Sequence, residues 1–390
     1  MKRHVRVFSG VIVKLVGLLV ILSAISGCQS QSDEAKSLHT GPVFFPLPPA
    51  EPRLQFLKSF SGSDDLDKDI GRLEMFLVGD AETKETISKP FGLALSQGKL
   101  YVCDVGKRKV DVLDLLEGTF SYLRSSPIMV NPANICLEAD GTKYIADSVG
   151  GAVYVFDAND KLVRLLGRDL DIKPADVTVR GQKCYVTDYA GMQVVVLDKD
   201  TGKEMSRFGK QGAEDGQFIH ITGIAVNQEE HVFVTDRIKA QITEFDEKGI
   251  FQRTIGILDT GIGAFVRPKG IKIDEENRIW VVDAAAEVAK IYDPEGKLLL
   301  FFGRPAEYPG TLELPGSIAL DRDHIDLFKK YAVAGAEIEF LVLISNQLGP
   351  SKINVYGFGR FPELGAPTSS APSAPSAPSP VEEAAEPESG

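Results

Sequence analysis

Ten aspartates, standing in two ladders at one fixed offset, constrain this chain more than any other feature. Asp104, Asp147, Asp188, Asp236 and Asp283 each end a short apolar run, YVCD, YIAD, YVTD, FVTD and WVVD, and successive members lie 43, 41, 48 and 47 residues apart. A second set, Asp114, Asp157, Asp198, Asp246 and Asp293, follows ten residues behind the first. Around each pair, runs rich in β-branched and aromatic residues alternate with polar or Gly-bearing turns, the pattern of a four-stranded antiparallel meander, and 221–256 is the plainest copy. There Ile224, Val226, Val232, Val234, Ile242, Phe245 and Ile255 put apolar side chains on both faces. One such sheet cannot stay in water alone and needs another stacked on each side.

Four strands repeated every 40 to 50 residues is the period of a β-propeller, whose ring leaves only short, protected edges. A sixth copy, LVLISN ending at Asn346 and then KINVYG, lacks both aspartates and stops after three strands at Tyr356. Arg53 to Phe60, RLQFLKSF, reads as an outer strand like 297–303 with no first three strands before it, so it is expected to complete the sixth blade. The fold expected is all-β: a six-bladed propeller over 53–362, its last blade closed by the N-terminal strand and carrying a small helical insertion. The repeats also open on Pro90-Phe91-Gly92-Leu93 or Pro268-Lys269-Gly270-Ile271 and end on aromatic-Gly with a Gly-rich link, as in FGKQGAEDGQF at 208–218. In these residues the chain resembles the NHL-repeat propellers; Ile221 in place of the fourth Pro and the interrupted sixth copy are the departures.

The ends read differently. Residues 1–27 have a basic start (Lys2, Arg3, Arg6), an apolar run from Leu15 to Ile25, and then Ser26-Gly27 before Cys28. This resembles the signal and lipobox of a bacterial lipoprotein, which implies cleavage before Cys28 and acylation of it. Gln29 rather than Asp after the cysteine implies, by the same resemblance, the outer membrane as destination. Residues 28–52 read as a lipid-anchored flexible tether, with Val43 to Leu47 as an apolar stretch that either docks on the ring or straps a partner. Residues 363–390, with recurring Ala-Pro-Ser and a terminal cluster of acids, read as a disordered tail. Loss of the signal takes the formal charge from −12 to −16. Nucleic acid is not expected as a partner, because its phosphates draw on clustered Lys and Arg.

Chemistry-bearing motifs are sparse. Cys103, Cys136 and Cys184 lie in separate strands without CxxC, so buried thiols are expected, with a Cys103–Cys136 pairing left open. His220, His231 and His324 are dispersed, unlike a histidine-rich axial metal site, and no cofactor or metal is expected. The acids at 64, 65, 67 and 69 miss the ligand spacing of a calcium loop. The ladder aspartates are expected to bond turn N–H groups, because every blade has the same need. Candidates for function are residues that break the repeat near the axis, Asn134, Asp176 and Lys272. Another is the insertion at 321–339, where Ile325 and Phe328 either dock a partner or pack as a lid. The function expected is a non-catalytic, lipid-anchored scaffold presenting a disc face to an envelope protein or a glycan. The alternative is a hydrolase or lyase working in the axial channel.

Overall fold

The structure, a computed structural model, describes residues 41–362 apart from 48, 68–83, 125–127, 257–260, 262 and 307. The residues read as signal sequence and tail, and Cys28, lie outside the described residues.

The chain is a six-bladed β-propeller. Five blades are continuous four-stranded meanders, the first made of Pro90–Ser96, Lys99–Asp104, Lys109–Asp114 and Thr119–Tyr122 from the axis outward. The inner strands of the next four are Pro132–Leu137, Pro174–Arg180, Ile221–Val226 and Pro268–Ile273. Blade six contains Pro315–Asp321, Glu337–Asn346 and Ile353–Arg360, and Leu54–Phe60 lies antiparallel beside the last of these. A two-residue strand, Phe44–Phe45, adds a fifth at the outer edge of that sheet. Val43, Phe44 and Phe45 are 2 to 4% exposed, so the folded body begins upstream of Arg53 and takes in part of the segment read as tether.

Each inner strand adjoins the inner strand of the next blade, and Pro315–Asp321 adjoins Pro90–Ser96, so the ring is complete. Six apolar clusters occupy the six seams between blades; one of them joins Trp280, Val282 and Ile291 of blade five to Phe340, Val342 and Tyr356 of blade six. This is the packing that sheets with two apolar faces require. The Gly of the Pro-x-Gly start answers to the crowding at the axis. A Cβ on Gly92 would sit 2.4 Å from Asn134 Cα, and one on Gly223 2.4 Å from the Lys269 carbonyl oxygen, both in the next blade.

The disc has two unlike faces. Inner strands turn into second strands on one of them, the funnel face. Second strands turn into third strands on the other, the link face, which also carries the connections between blades. The blade-six insertion forms one helical turn, Ile325–Phe328, and a short 3-10 turn, Lys329–Tyr331. Phe328 is 1% exposed and meets Phe60 edge-on at 6.3 Å, while Ile325 is partly buried in the same cluster. Gln55 holds the insertion by bonds to the Tyr331 carbonyl and the Val333 N–H, each 3.0 Å. Phe328→Ala should therefore destabilise the ring by about 3 kcal/mol or more, read as a lowered denaturant midpoint. An unchanged midpoint would show that the insertion is a passive loop.

Candidate functional site

The ladders are structural in all five blades that carry them. Asp236, fully buried, accepts from Ile219 and His220 N–H ahead of its inner strand, and from Ile238 and Lys239 N–H in the turn after it. Asp104 and Asp147 bond the equivalent two loops of their own blades in the same way, and Asp188 and Asp283 do so with fewer backbone donors. The second ladder sits at the far ends of the third strands, where Asp114, Asp157, Asp198, Asp246 and Asp293 accept N–H groups of their own hairpin turns.

A third, irregular ladder is made of hydroxyls just before the first. Thr187, Thr235 and Ser345 donate to Thr222, Lys269 and Phe91 carbonyls of the following blade at 3.0, 2.7 and 2.6 Å. The equivalent residues of the other blades are Cys103, Ala146 and Val282, so no sequence repeat announces these bonds.

The axial candidates fall on three inner strands. Asn134 Oδ1 accepts the Ile135 N–H at 3.0 Å and sits against Gly92. Asp176, 1% exposed, accepts Val177 N–H at 2.7 Å and Ile224 N–H of the next blade at 3.0 Å. Burial pushes its carboxyl up to about 6, against the pull of Lys272 and of those two N–H groups. Lys272, half-buried two blades on, also acts on the Cys136 thiol, which burial holds above its ordinary value. Asp176 and Lys272 are thus brought within electrostatic reach, whereas Asn134 is absorbed by the seam between blades one and two. The sign of the Asp176 shift gives a prediction. A raised carboxyl contributes stability that is present below about pH 4 and lost as pH rises through about 6. Asp176→Asn should therefore gain on the wild type by on the order of 2 kcal/mol between those limits. A stability difference flat with pH would contradict it.

The funnel face opens on a recess of about 750 Å³ lined by all six blades, among them Gln97, Asp140, Arg180, Asn227, Glu275 and Asp323. Several of its charges are tied into the framework: Asp274 to Arg278 and Trp280, Glu138 to Tyr144 and Lys199, His324 to Asp321. Cys103, Cys136 and Cys184 are free thiols. Among the described residues, no group of three or more His, Cys, Asp and Glu side chains is placed to hold a metal ion.

On the link face, cations gather at the mouth of the axial channel. Lys89, Lys173, His220 and Arg267 stand immediately before the inner strands of blades one, three, four and five, and Arg237 follows Asp236. Lys269 reaches across from blade five, 8% exposed, to donate to Gln347 Oε1 at 2.9 Å beside the Phe91 ring. Burial and the charges of Arg237, Arg267 and Lys89 push its ammonium down to about 8. Arg237 and His220 are likewise lowered, by burial first and then by Arg267 and Arg237 respectively. These cations stand at equivalent positions in links of unequal length, so a linear reading of clustered Lys and Arg passes over them.

A family model described as a 6-bladed beta-propeller matches residues 229–299. Protein brain tumor of Drosophila melanogaster is 28% identical over 134 residues, 34% of this chain and 12% of that protein, so the chain spans a small part of that relative's length. A protein of unknown function from Bacteroides thetaiotaomicron superposes with a TM-score of 0.56 at 13% identity, over 77% of this chain and 75% of that one. A gluconolactonase from Xanthomonas campestris gives 0.52 at 17% identity, over 78% and 98%. A virginiamycin B lyase from Staphylococcus aureus gives 0.50 at 14%, over 70% and 96%. At these identities the likeness is one of fold, and the fold is the six-bladed β-propeller.

Proposed function

We propose that this chain is a binding module of the bacterial cell envelope, a propeller of NHL type held to the membrane by lipid on Cys28 and presenting a disc face to a protein or glycan partner. The fate of the axial polar groups supports this reading. Asp176, Thr187, Thr235 and Ser345 all bond backbone atoms of a neighbouring blade, so the axis serves as framework and recognition is left to the faces. The strand Phe44–Phe45 at the outer edge of blade six suits an anchor joined at the rim of the disc. Gln29 favours the outer membrane as the place of anchorage.

Cys28→Ser should move the protein out of the membrane fraction and abolish its labelling by a fatty-acid analogue. Equal labelling of both forms would remove the anchor from the proposal. Cross-linking in the native envelope, followed by isolation of the full chain, should bring down one partner in stoichiometric amount. Recovery of the chain alone would reject the binding role.

The second reading, a hydrolase or lyase acting at the axis, is favoured by one observation: a buried carboxyl raised to about 6 near Lys272 is the environment of an acid–base group. A hydrolytic or lyase activity lost in both Asp176→Asn and Lys272→Met, in folded protein, would establish it.

A further inference from the structure

Seven of the thirteen exposed large apolar side chains among the described residues lie on the link face. Six of them, Val130, Val149, Ile219, Ile238, Val266 and Leu348, are 41 to 60% exposed. They are not scattered. Val130 and Val149 donate their N–H groups to the same carboxylate, Asp147, while Ile219 and Ile238 share Asp236. Each pair therefore stands side by side on two loops clamped by one buried acid. Val266 is fixed by Asp283 next to Arg267. The cations Lys89, Arg237, Arg267 and Lys269 lie among these groups, and none of them forms an ion pair among the described residues, on a chain of net charge −12. The opposing charge that acts on Arg237 is Asp236, whose oxygens are already occupied by four N–H groups.

We propose that the link face docks a protein segment combining carboxylates with apolar side chains, the carboxylates meeting the cationic mouth and the apolar groups covering the aliphatic pairs around it. This rests on the binding-module reading and assigns it a face and a partner chemistry. Interfaces of this kind are centred on apolar groups with arginine among them, and an apolar patch held on rigid backbone loses little entropy on being covered. The aliphatic pairs decide against a nucleic acid or a soluble phosphate ligand, which would answer the cations and leave Ile219, Ile238 and Val149 in water.

A displayed library of random peptides, selected on the full chain, tests this. Enriched peptides should carry Asp or Glu beside Leu, Ile or Phe. Their affinity should fall at least about tenfold for Ile219→Ser with Ile238→Ser, and again for Arg237→Glu with Arg267→Glu. Glu275→Lys on the funnel rim should leave it unchanged, and all variants should melt like the wild type, since the changed side chains are exposed or half-buried. Enriched peptides without carboxylates, or binding untouched by both link-face pairs, overturn the proposal. Binding lost only with Glu275→Lys moves the site to the funnel, so that this inference fails and the binding module stands. Vesicles of phosphatidylglycerol held by the wild type and released by Arg237→Glu with Arg267→Glu, with no peptide enriched, would give the face to a lipid surface and overturn it as well.

Discussion

A chain beginning at Ser61 should fail to form a stable ring, whereas one beginning at Gly41 should fold fully. The truncation removes the strand Leu54–Phe60 and leaves the backbone of Ile353–Arg360 unpaired along one side. Such an edge is a template for association, so the residue of folded material should aggregate. It also removes Leu54, Leu57 and Phe60, and with them Val43, Phe44 and Phe45, all buried. At about 1.5 to 3 kcal/mol for each large apolar side chain, the loss is on the order of 10 kcal/mol, as large as the whole stability of an ordinary domain. A chain beginning at Arg53 should fall between the two. It keeps the paired strand but loses Phe45, whose ring meets Phe302 at 5.7 Å and Tyr356 at 6.0 Å. Denaturant midpoints of the three chains measure the effect, and equal midpoints for the chains starting at Gly41 and Ser61 would show that the ring holds without its N-terminal strand.

What the sequence discloses about this molecule follows from which interactions recur. The blade period and the aspartate ladders are legible because five of the six blades solve the same turn problem with the same residue. The hydroxyl bonds between blades are not, because Cys103, Ala146 and Val282 occupy the position where Thr187, Thr235 and Ser345 make them. Asp176 is conspicuous as a break in the repeat, yet its role depends on the N–H of Ile224, 48 residues on and in another blade. Val43 to Phe45 stand next to Pro-rich sequence and outside the repeat, so only packing against Phe302 and Tyr356 shows that they belong to the body. The link face was readable in principle. Aligning the residues two before each inner strand and two after each ladder aspartate or Asn346 puts Val130, Ile172, Ile219 and Val266 in one column, with Ile172 alone buried, and Val149, Ile238 and Leu348 in another. A soluble turn has no internal reason to carry large aliphatic groups there.

Asp236→Ala should be among the most damaging single substitutions in the chain, on the order of 4 kcal/mol, while Asp246→Ala in the second ladder should move the denaturant midpoint far less. The two aspartates end neighbouring strands of one blade and differ in burial. Asp246 accepts Lys248 and Ile250 N–H at an exposed hairpin, where water replaces a lost acceptor. Asp236 has no exposed surface, and its removal strands four N–H groups in two loops otherwise joined by the Arg237 N–H on the His220 carbonyl and by Lys239 on the Glu214 and Gln217 carbonyls. Asp236→Asn should rescue only part of the loss. Blade six already shows what an amide does there: Asn346 Oδ1 accepts the Glu313 N–H alone, and its Nδ2 must find an acceptor, the Ser351 carbonyl. In blade four the amide nitrogen would face donors. Because the same carboxylate aligns Ile219 with Ile238, Asp236→Asn should also weaken any partner bound on the link face by more than Asp246→Ala does. Urea midpoints of the three variants give the stability order. An Asp236→Ala protein as stable as Asp246→Ala would mean that the buried ladder is incidental to the ring, which the seams alone would then hold.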